Sequence, residues 1–529
     1  MARKPAFAKK TKKSTNSNNG NSAPHFSKFE DYFDYGVKRE TDGERFAQSD
    51  TKKSTNAFND ALNCYKTAIK IYNENPGFYS GDISVYQNIV YNYLRVKYDL
   101  LSEFKYVAGD VDITKFIPES DINKELKESL FQDNKPTLDE LRNEYESYSQ
   151  TLQTDINTWD FFFNYLAYLS SYLEWIFELE NSNIKDAMII VQRQIEIFYK
   201  LKESSQIVFN DTYTNHQNFD DPVLAQNMAL QKDTMFLPNQ YNQNVVNTMS
   251  KLDINSLLEM ETLVLKSIAS IVEITYTTIN IKNETIDVYY EVLKTLETYS
   301  QHIIQNSLVN STVLTNVEIQ EEINKDIYKE TEETIYFTNT LMGFSNPENI
   351  KQYVTEVAND LDNINVESKP VVVELLKSVL EILSPIKIIR ESIKNNHKNE
   401  TKVIISALGN LEMFYQILNM VVKLDRQVIM STNEKIKLGK VSTNNIGSEY
   451  CNLAELFLEV ADIELQRSYW KQIESKSEES AASFDLRKSY LKNAYSFVVN
   501  DLGSKETKKD RYYRLYLKEV IEEMINQPY

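Results

Sequence analysis

The chain has 529 residues and a net charge of −19, but only 11 glycines, 11 prolines, four histidines and two cysteines. Average proteins contain about 7% Gly and 5% Pro, so the residues of turns and phosphate-binding loops are scarce. No phosphate loop, glycine-rich dinucleotide fingerprint or Gly-x-Ser-x-Gly elbow is present, and the histidines and cysteines lack zinc-ligand spacing. The sequence therefore favours a noncatalytic protein without a cofactor or metal.

The charge is distributed unevenly along the chain. Residues 1–13 contain six basic residues and no acid, which leaves −25 on the remainder. Such an acidic body repels nucleic acid and attracts basic proteins through forces that salt screens. We expect a basic protein partner, with weak nucleic-acid contact only through the N-terminal tail.

Residues 1–28 are polar and of low complexity, and this composition predicts a disordered basic tail. Part of it resembles a short nuclear-import signal, formed by Lys9, Lys10, Lys12 and Lys13. An inert solvated tail and a nonspecific RNA contact are the alternatives. Two cysteines are too few for a disulfide framework, and no apolar signal-peptide core follows the basic residues. We expect the protein in the cytoplasm, the nucleus or both, and not in a membrane.

Apolar residues recur every three or four positions along most of the chain, which is typical of helices. We expect an N-terminal helical block over residues 29–209 and a C-terminal helical block over residues 256–529. An Asn- and Gln-rich loop or linker over residues 210–255 separates them. No two-residue alternation bounded by hairpin turns is evident, so the predicted fold class is all-α.

The most apolar segment is Trp159–Phe177, which is too short and too interrupted by polar residues to span a membrane. One face of the predicted helix is wholly aromatic, and we call it the aromatic stripe: Phe161, Tyr165, Tyr168, Tyr172 and Trp175. A helix that is apolar on two faces is typically buried between neighbours. The alternative is that the aromatic stripe lines a groove and binds a partner, as tyrosine and tryptophan often do.

Three further features have structural and functional interpretations. A calcium loop starting at Asp110 would need Gly and Glu where Lys115 and Asp121 stand, so we expect an ordinary connecting loop. Cys64 lies within an apparent helix and is expected to be a structural thiol. The basic cluster Lys505–Arg514 is expected on the outer face of a capping helix, with an RNA contact as the alternative.

Two regions resemble tetratricopeptide repeats, units of 34 residues that form a helix–turn–helix. The first, Gly36–Tyr98, has characteristic residues in repeat order: Gly43, Phe46, Asp50, Ala61, Tyr65, Ala68 and Pro76. The second, Asn452–Tyr495, has Leu453, Ala454, Phe457, Ala461 and Asp462 in one helix and Ala482, Leu486, Tyr490 and Ala494 in the next. In the first region the distance from Asp50 to Ala61 exceeds the consensus. The resemblance implies an α-solenoid of helical hairpins.

Gly36–Tyr72 is also similar to the opening of tetratricopeptide proteins that escort histones or ribosomal proteins, although the long acidic insertion of histone chaperones is missing here. The resulting hypothesis is a protein-binding scaffold, an adaptor or dedicated chaperone for a basic ribosomal or nuclear client. The alternatives are a constitutive subunit of a larger complex and an enzyme that uses carboxylates in a helical pocket.

Overall fold

In the computed structural model, every regular element of the described residues is a helix, and none of these helices is long and apolar enough to cross a membrane. The structure describes residues 26–526 except 27, 48, 75–82, 105–113, 119–121, 123, 132–136, 153–157, 179–183, 218–252, 283–285, 310–322, 346, 365–367, 384–399, 439–445, 474–476 and 500–507. The fold of the described residues is therefore all-α, as the sequence predicted.

Within the described residues, seven α-helices begin in the predicted N-terminal block: α1 Phe29–Phe46, α2 Thr51–Glu74, α3 Ile83–Phe104, α4 Lys124–Leu130, α5 Thr137–Thr151, α6 Trp159–Glu178 and α7 Ile184–Gln217. The described part of the chain after residue 252 contains nine more: α8 Ile254–Lys282, α9 Ile286–Gln305, α10 Lys325–Met342, α11 Pro347–Asp360, α12 Lys369–Leu383, α13 Glu400–Lys437, α14 Ile446–Ile473, α15 Ser477–Val498 and α16 Lys508–Asn526. Single 3₁₀ turns lie at Thr114–Phe116 and Gly343–Ser345.

Helices α1 and α2 form a hairpin whose close approach depends on glycine. A Cβ atom placed on Gly36 would lie 2.5 Å from Cε1 of Tyr65, so only glycine lets the two helices pack this closely. The turn is fixed by Asp50, whose carboxylate accepts a hydrogen bond from the backbone N–H of Lys53 at 3.0 Å. The first region of the repeat resemblance thus begins with a helical hairpin, and α3 follows it.

Helices α14 and α15 form the second hairpin, in which the Ser468 and Ser480 hydroxyls meet at 3.0 Å across the helix pair. Both hairpins are longer than the repeat unit that the sequence resembles. Their helices have 18 and 24 residues in the first pair and 28 and 22 in the second, against 34 for a whole repeat with its turns. The structure therefore shows helical hairpins, while a tetratricopeptide solenoid stays a hypothesis.

The described helices on either side of the predicted linker share one hydrophobic core. Helix α8 contacts both α6 and α7, and the amide of Gln194 donates to the Ser267 hydroxyl at 3.1 Å across that contact. The two predicted blocks are therefore not separate packing units, because α8 completes the core of the N-terminal helices.

The boundaries of the predicted tail and linker differ from the observed helices. Phe26, assigned to the tail, packs on Tyr32 with ring centroids 5.1 Å apart. Helix α7 continues to Gln217, so the loop predicted over residues 210–255 is helical at its start, and α8 begins at Ile254. The residues in between, 218–252, lie outside the described part of the chain, as do the predicted import signal and the loop at Asp110.

The last helix packs back on the N-terminal part of the chain. Tyr512 of α16 lies 6.3 Å from Phe104 of α3 between ring centroids, and Tyr516 lies 5.9 Å from Phe116. Arg514 is buried and donates to the Val498 carbonyl at 2.8 Å. The expectation that the cluster Lys505–Arg514 forms an outer face is thus wrong for Tyr512 and Arg514, which this helix uses for packing.

Candidate functional site

The aromatic stripe lies mostly inside the core. Phe161, Tyr165, Tyr168 and Tyr172 are at most 5% exposed, and Tyr145 of α5 stacks on Tyr165 and Tyr168 at centroid distances of 5.1 and 4.9 Å. A partner cannot reach these four rings in this packing. These four rings are therefore buried between neighbouring helices, and α5 covers the face that the alternative groove interpretation would leave open.

The tyrosine hydroxyls of the aromatic stripe also have partners within the chain. Tyr165 donates to Glu146 at 2.7 Å, Tyr168 donates to the Leu138 carbonyl at 2.5 Å, and Tyr172 donates to Asp139. Buried tyrosine hydroxyls normally need such partners. Trp175, the last residue of the aromatic stripe, is partly buried and packs on Tyr172 at 5.5 Å.

A different part of the surface contains a cavity with charged side chains in its lining. Helices α6, α8, α10 and α12 surround a cavity of about 430 Å³ whose lining includes five glutamates and one lysine: Glu174, Glu273, Glu330, Glu333, Glu374 and Lys266. Lys266 forms an ion pair with Glu330 at 2.7 Å. The lining therefore has four more carboxylates than cationic side chains.

The surrounding helices change the titration of two of these glutamates. The side chains of Glu174 and Glu374 keep contact with solvent. The surrounding protein nevertheless displaces part of the water around each carboxylate, which raises its pKa above the usual value. Lys509 and then Lys266 oppose this shift for Glu174. Lys266 and Lys377 oppose it for Glu374, whereas Glu333 and Glu330 reinforce it there. Such a carboxylate is stabilised by any cation that enters the cavity.

Helix α12 extends this acidic surface toward α14. Both helices pack on α13, and Lys377 and Glu381 of α12 interact electrostatically with Glu459 of α14. Loss of water, and then the charge of Glu381, raise the pKa of Glu459 to about 7, while Lys377 opposes the shift. The pKa of Glu455, one turn earlier on α14, is also raised, chiefly by loss of water. We call the cavity and this extension together the acidic cleft.

One acid near the extension is almost fully buried. Asp425 of α13 is 6% exposed, and its Oδ2 atom is buried without a hydrogen-bond partner among the described residues. Loss of water raises its pKa, and the charge of Lys377 lowers it. Lys377 thus lies within electrostatic range of several acids and compensates them only in part.

Hydrogen bonds hold parts of the acidic cleft in place. Ser378 of α12 donates to Glu273 of α8 at 2.6 Å, which connects the two sides of the cavity. Tyr513 of α16 donates to Glu455 of α14. These two hydrogen bonds therefore join helices of the acidic cleft to each other and to the last helix, α16.

Sequence reasoning missed this site because its acids come from five helices, α6, α8, α10, α12 and α14. A weak local pattern was nevertheless present. Glu374 and Glu381 are seven residues apart and Glu455 and Glu459 are four apart, so each pair lies on one helical face. The chain contains 77 acids, and without the three-dimensional arrangement no such pair stands out.

The acidic cleft has an excess of carboxylates, which attract cations. Within the described residues, no group of His, Cys, Asp and Glu is arranged to hold a metal ion. Cys64 is buried in the first hairpin, and burial raises the pKa of its thiol to about 11. Its thiolate, the reactive form, is therefore rare at neutral pH.

Comparisons with family models, curated proteins and solved structures give no match to this chain.

Proposed function

We propose that the protein is a noncatalytic scaffold, an adaptor or dedicated chaperone that holds a basic segment of a client protein in the acidic cleft. The observation that carries this proposal is the cavity between α6, α8, α10 and α12, with five glutamates and one lysine in its lining. Ribosomal and nuclear proteins have the lysine- and arginine-rich segments that match this charge. The repeat resemblance, with its implied solenoid, supports the same class of function.

The mechanism has two stages. The net charge of −25 outside residues 1–13 attracts a basic segment over several ångströms and orients it before contact. Within the acidic cleft, lysine and arginine side chains then pair with Glu374 and Glu459, whose pKa values are raised. Bound cations lower the pKa of these glutamates, so binding and ionisation favour each other.

The location of the protein belongs to the same proposal. A client made in the cytoplasm and used in the nucleus would need an escort that enters the nucleus. The tail residues Lys9, Lys10, Lys12 and Lys13 would supply the import signal. If deletion of residues 1–13 leaves the distribution of the protein between cytoplasm and nucleus unchanged, this part of the proposal is wrong.

The experiment compares two variants with equal changes in net charge. The cleft variant carries E374Q, E381Q, E455Q and E459Q, which keep side-chain shape and hydrogen-bonding capacity. The control variant changes four exposed glutamates on other surfaces that form no ion pair with any described residue: E203Q, E434Q, E478Q and E523Q.

Each tagged protein is purified from its own cells at low and at raised salt, and the bound proteins are identified and quantified. We expect one or two basic proteins in near-stoichiometric amounts with the wild type and the control variant, lost at raised salt and absent from the cleft variant. A salt-resistant set of many constant subunits with all three proteins would instead establish a structural subunit of a larger complex. Loss of the basic proteins from both variants would refute a role for the acidic cleft.

A further inference from the structure

A second cavity, of opposite character, lies on the surface formed by α13, α14 and α15. It has a volume of about 420 Å³, within the range of small-molecule sites, roughly 300 to 1,000 Å³. Its lining includes Lys423 and Arg426 and, among the described residues, no carboxylate. In a chain with a net charge of −19, a cavity whose charged lining residues are both cations is unexpected.

The two cations are arranged to act together. Lys423 and Arg426 are three residues apart on α13 and so lie on the same face of the helix. Lys423 is paired with the exposed Asp362 at 2.6 Å. Arg426 has no ion pair among the described residues, and its guanidinium carbon lies 4.9 Å from the ring centroid of Phe457. The ring supports the guanidinium from one side and leaves its N–H groups available to an anion.

The rest of the lining supplies neutral polar groups. The Oε1 atom of Gln427 is buried and has no hydrogen-bond partner among the described residues. The side-chain amide of Asn493 and the hydroxyl of Tyr490 also line the cavity, and this hydroxyl lies 3.2 Å from that of Tyr415. This Oε1 atom has almost no accessible surface, so Asn493 and Tyr490 are the neutral polar groups of the lining that face a ligand.

We infer that this cavity binds an organic phosphate monoester of up to about mononucleotide size. A phosphate monoester carries a charge of about −1.5 to −2 at neutral pH, so it can pair with Arg426 and also compete with Asp362 for Lys423. Arginine binds phosphate with two parallel hydrogen bonds, and lysine adds a point charge. The volume exceeds the space that inorganic phosphate fills, and Asn493 and Tyr490 provide polar contacts for the organic part. This inference is independent of the proposed client binding.

The test uses isothermal titration calorimetry on the full chain with adenosine monophosphate, glycerol phosphate, adenosine and inorganic phosphate. We expect at least one of the two phosphate esters to bind more tightly than inorganic phosphate, and adenosine to show no binding. Arg426→Gln should weaken binding of the ester by about tenfold or more, since a hydrogen bond between charged groups is lost. Arg511→Gln changes an exposed arginine of α16 and should leave the affinity within about twofold.

Arg426→Lys separates charge from geometry, because it keeps the positive charge and loses the paired donors. We expect an affinity between those of the wild type and Arg426→Gln. Circular dichroism of each variant verifies the helical fold. The inference is overturned if neither ester binds, if inorganic phosphate binds as tightly as the esters, or if Arg426→Gln and Arg511→Gln have equal effects.

Discussion

Replacement of Gly36 by alanine tests whether the first hairpin packs as described. The added Cβ atom would lie 2.5 and 2.8 Å from two ring carbons of Tyr65, below any distance that real Cβ atoms show. The Tyr65 ring cannot move away easily, because it is fully buried and its hydroxyl donates to Glu40 at 2.7 Å. Glu40 in turn accepts from Arg95 of α3, so a displaced ring would disturb three helices.

The expected magnitude follows from opposing contributions. Overpacking of a core costs about 1–3 kcal/mol, and weakening of the charged hydrogen bond to Glu40 costs about 1.5 kcal/mol more. Alanine is favoured over glycine inside a helix by about 1 kcal/mol, which offsets part of this cost. We expect Gly36→Ala to lower the free energy of opening of the α1–α2 hairpin by about 2 kcal/mol.

Two other glycines serve as matched controls. A Cβ atom on Gly43 would lie 3.0 Å from ring carbons of Phe58, which is only partly buried and can give way. A Cβ atom on Gly343 would meet nothing within 4 Å, and its φ of −67° suits alanine. Gly43→Ala should therefore have a small effect, and Gly343→Ala should be neutral or stabilise by up to about 1 kcal/mol.

Amide hydrogen exchange followed by mass spectrometry measures the opening of each segment separately. In Gly36→Ala, exchange of the slowest α1 and α2 amides should accelerate about thirtyfold, which corresponds to 2 kcal/mol, with little change in α13. Equal protection in Gly36→Ala and Gly343→Ala would refute the close approach of α1 and α2.

Three further predictions concern the core, the acidic cleft and the thiols. Tyr165→Ala should lower the free energy of unfolding, measured in urea, by about 3–5 kcal/mol, because the Tyr165 ring is 1% exposed. Unchanged stability together with weaker client binding would show that the aromatic stripe is a binding surface. The pKa of Glu459 is raised to about 7, so the folded protein retains a proton that the unfolded chain releases near pH 4.5. Stability of the wild type relative to Glu459→Gln should therefore fall as pH rises from about 4.5 to 7, and parallel pH profiles in thermal unfolding would contradict this. Cys64 and Cys451 are both buried, so a thiol reagent should label neither at neutral pH and both in denaturant; rapid labelling of native Cys64 would contradict the raised pKa of its thiol.

The helices and the two hairpins were predictable because their determinants are local. Apolar spacing of three and four residues defines each buried face, and small residues such as Gly36 and Ala61 mark where neighbouring helices approach. The aromatic stripe was ambiguous for a physical reason. A helix that is apolar on two faces has the same sequence whether its second face meets another helix or a partner, and only the position of Tyr145 on α5 decides between them.

The long-range arrangement was beyond local reasoning. Contact of Tyr512 with Phe104 joins residues about four hundred positions apart, and no periodicity encodes such a pairing. The acidic cleft has the same origin, since Glu174 and Glu374 line one cavity only when α6, α8, α10 and α12 pack together. Net charge predicted an acidic surface, but not its position.

The affinity for a defined basic peptide tests the central claim most directly. A fluorescently labelled oligolysine is titrated with wild type, cleft variant and control variant, and fluorescence anisotropy is recorded at low and at raised salt. We expect the cleft variant to bind at least about tenfold more weakly than the control variant at low salt, with the difference shrinking as salt screens the charges. Equal affinities of the two variants, which have the same net charge, would show that the peptide recognises overall charge and that the acidic cleft is not its binding site.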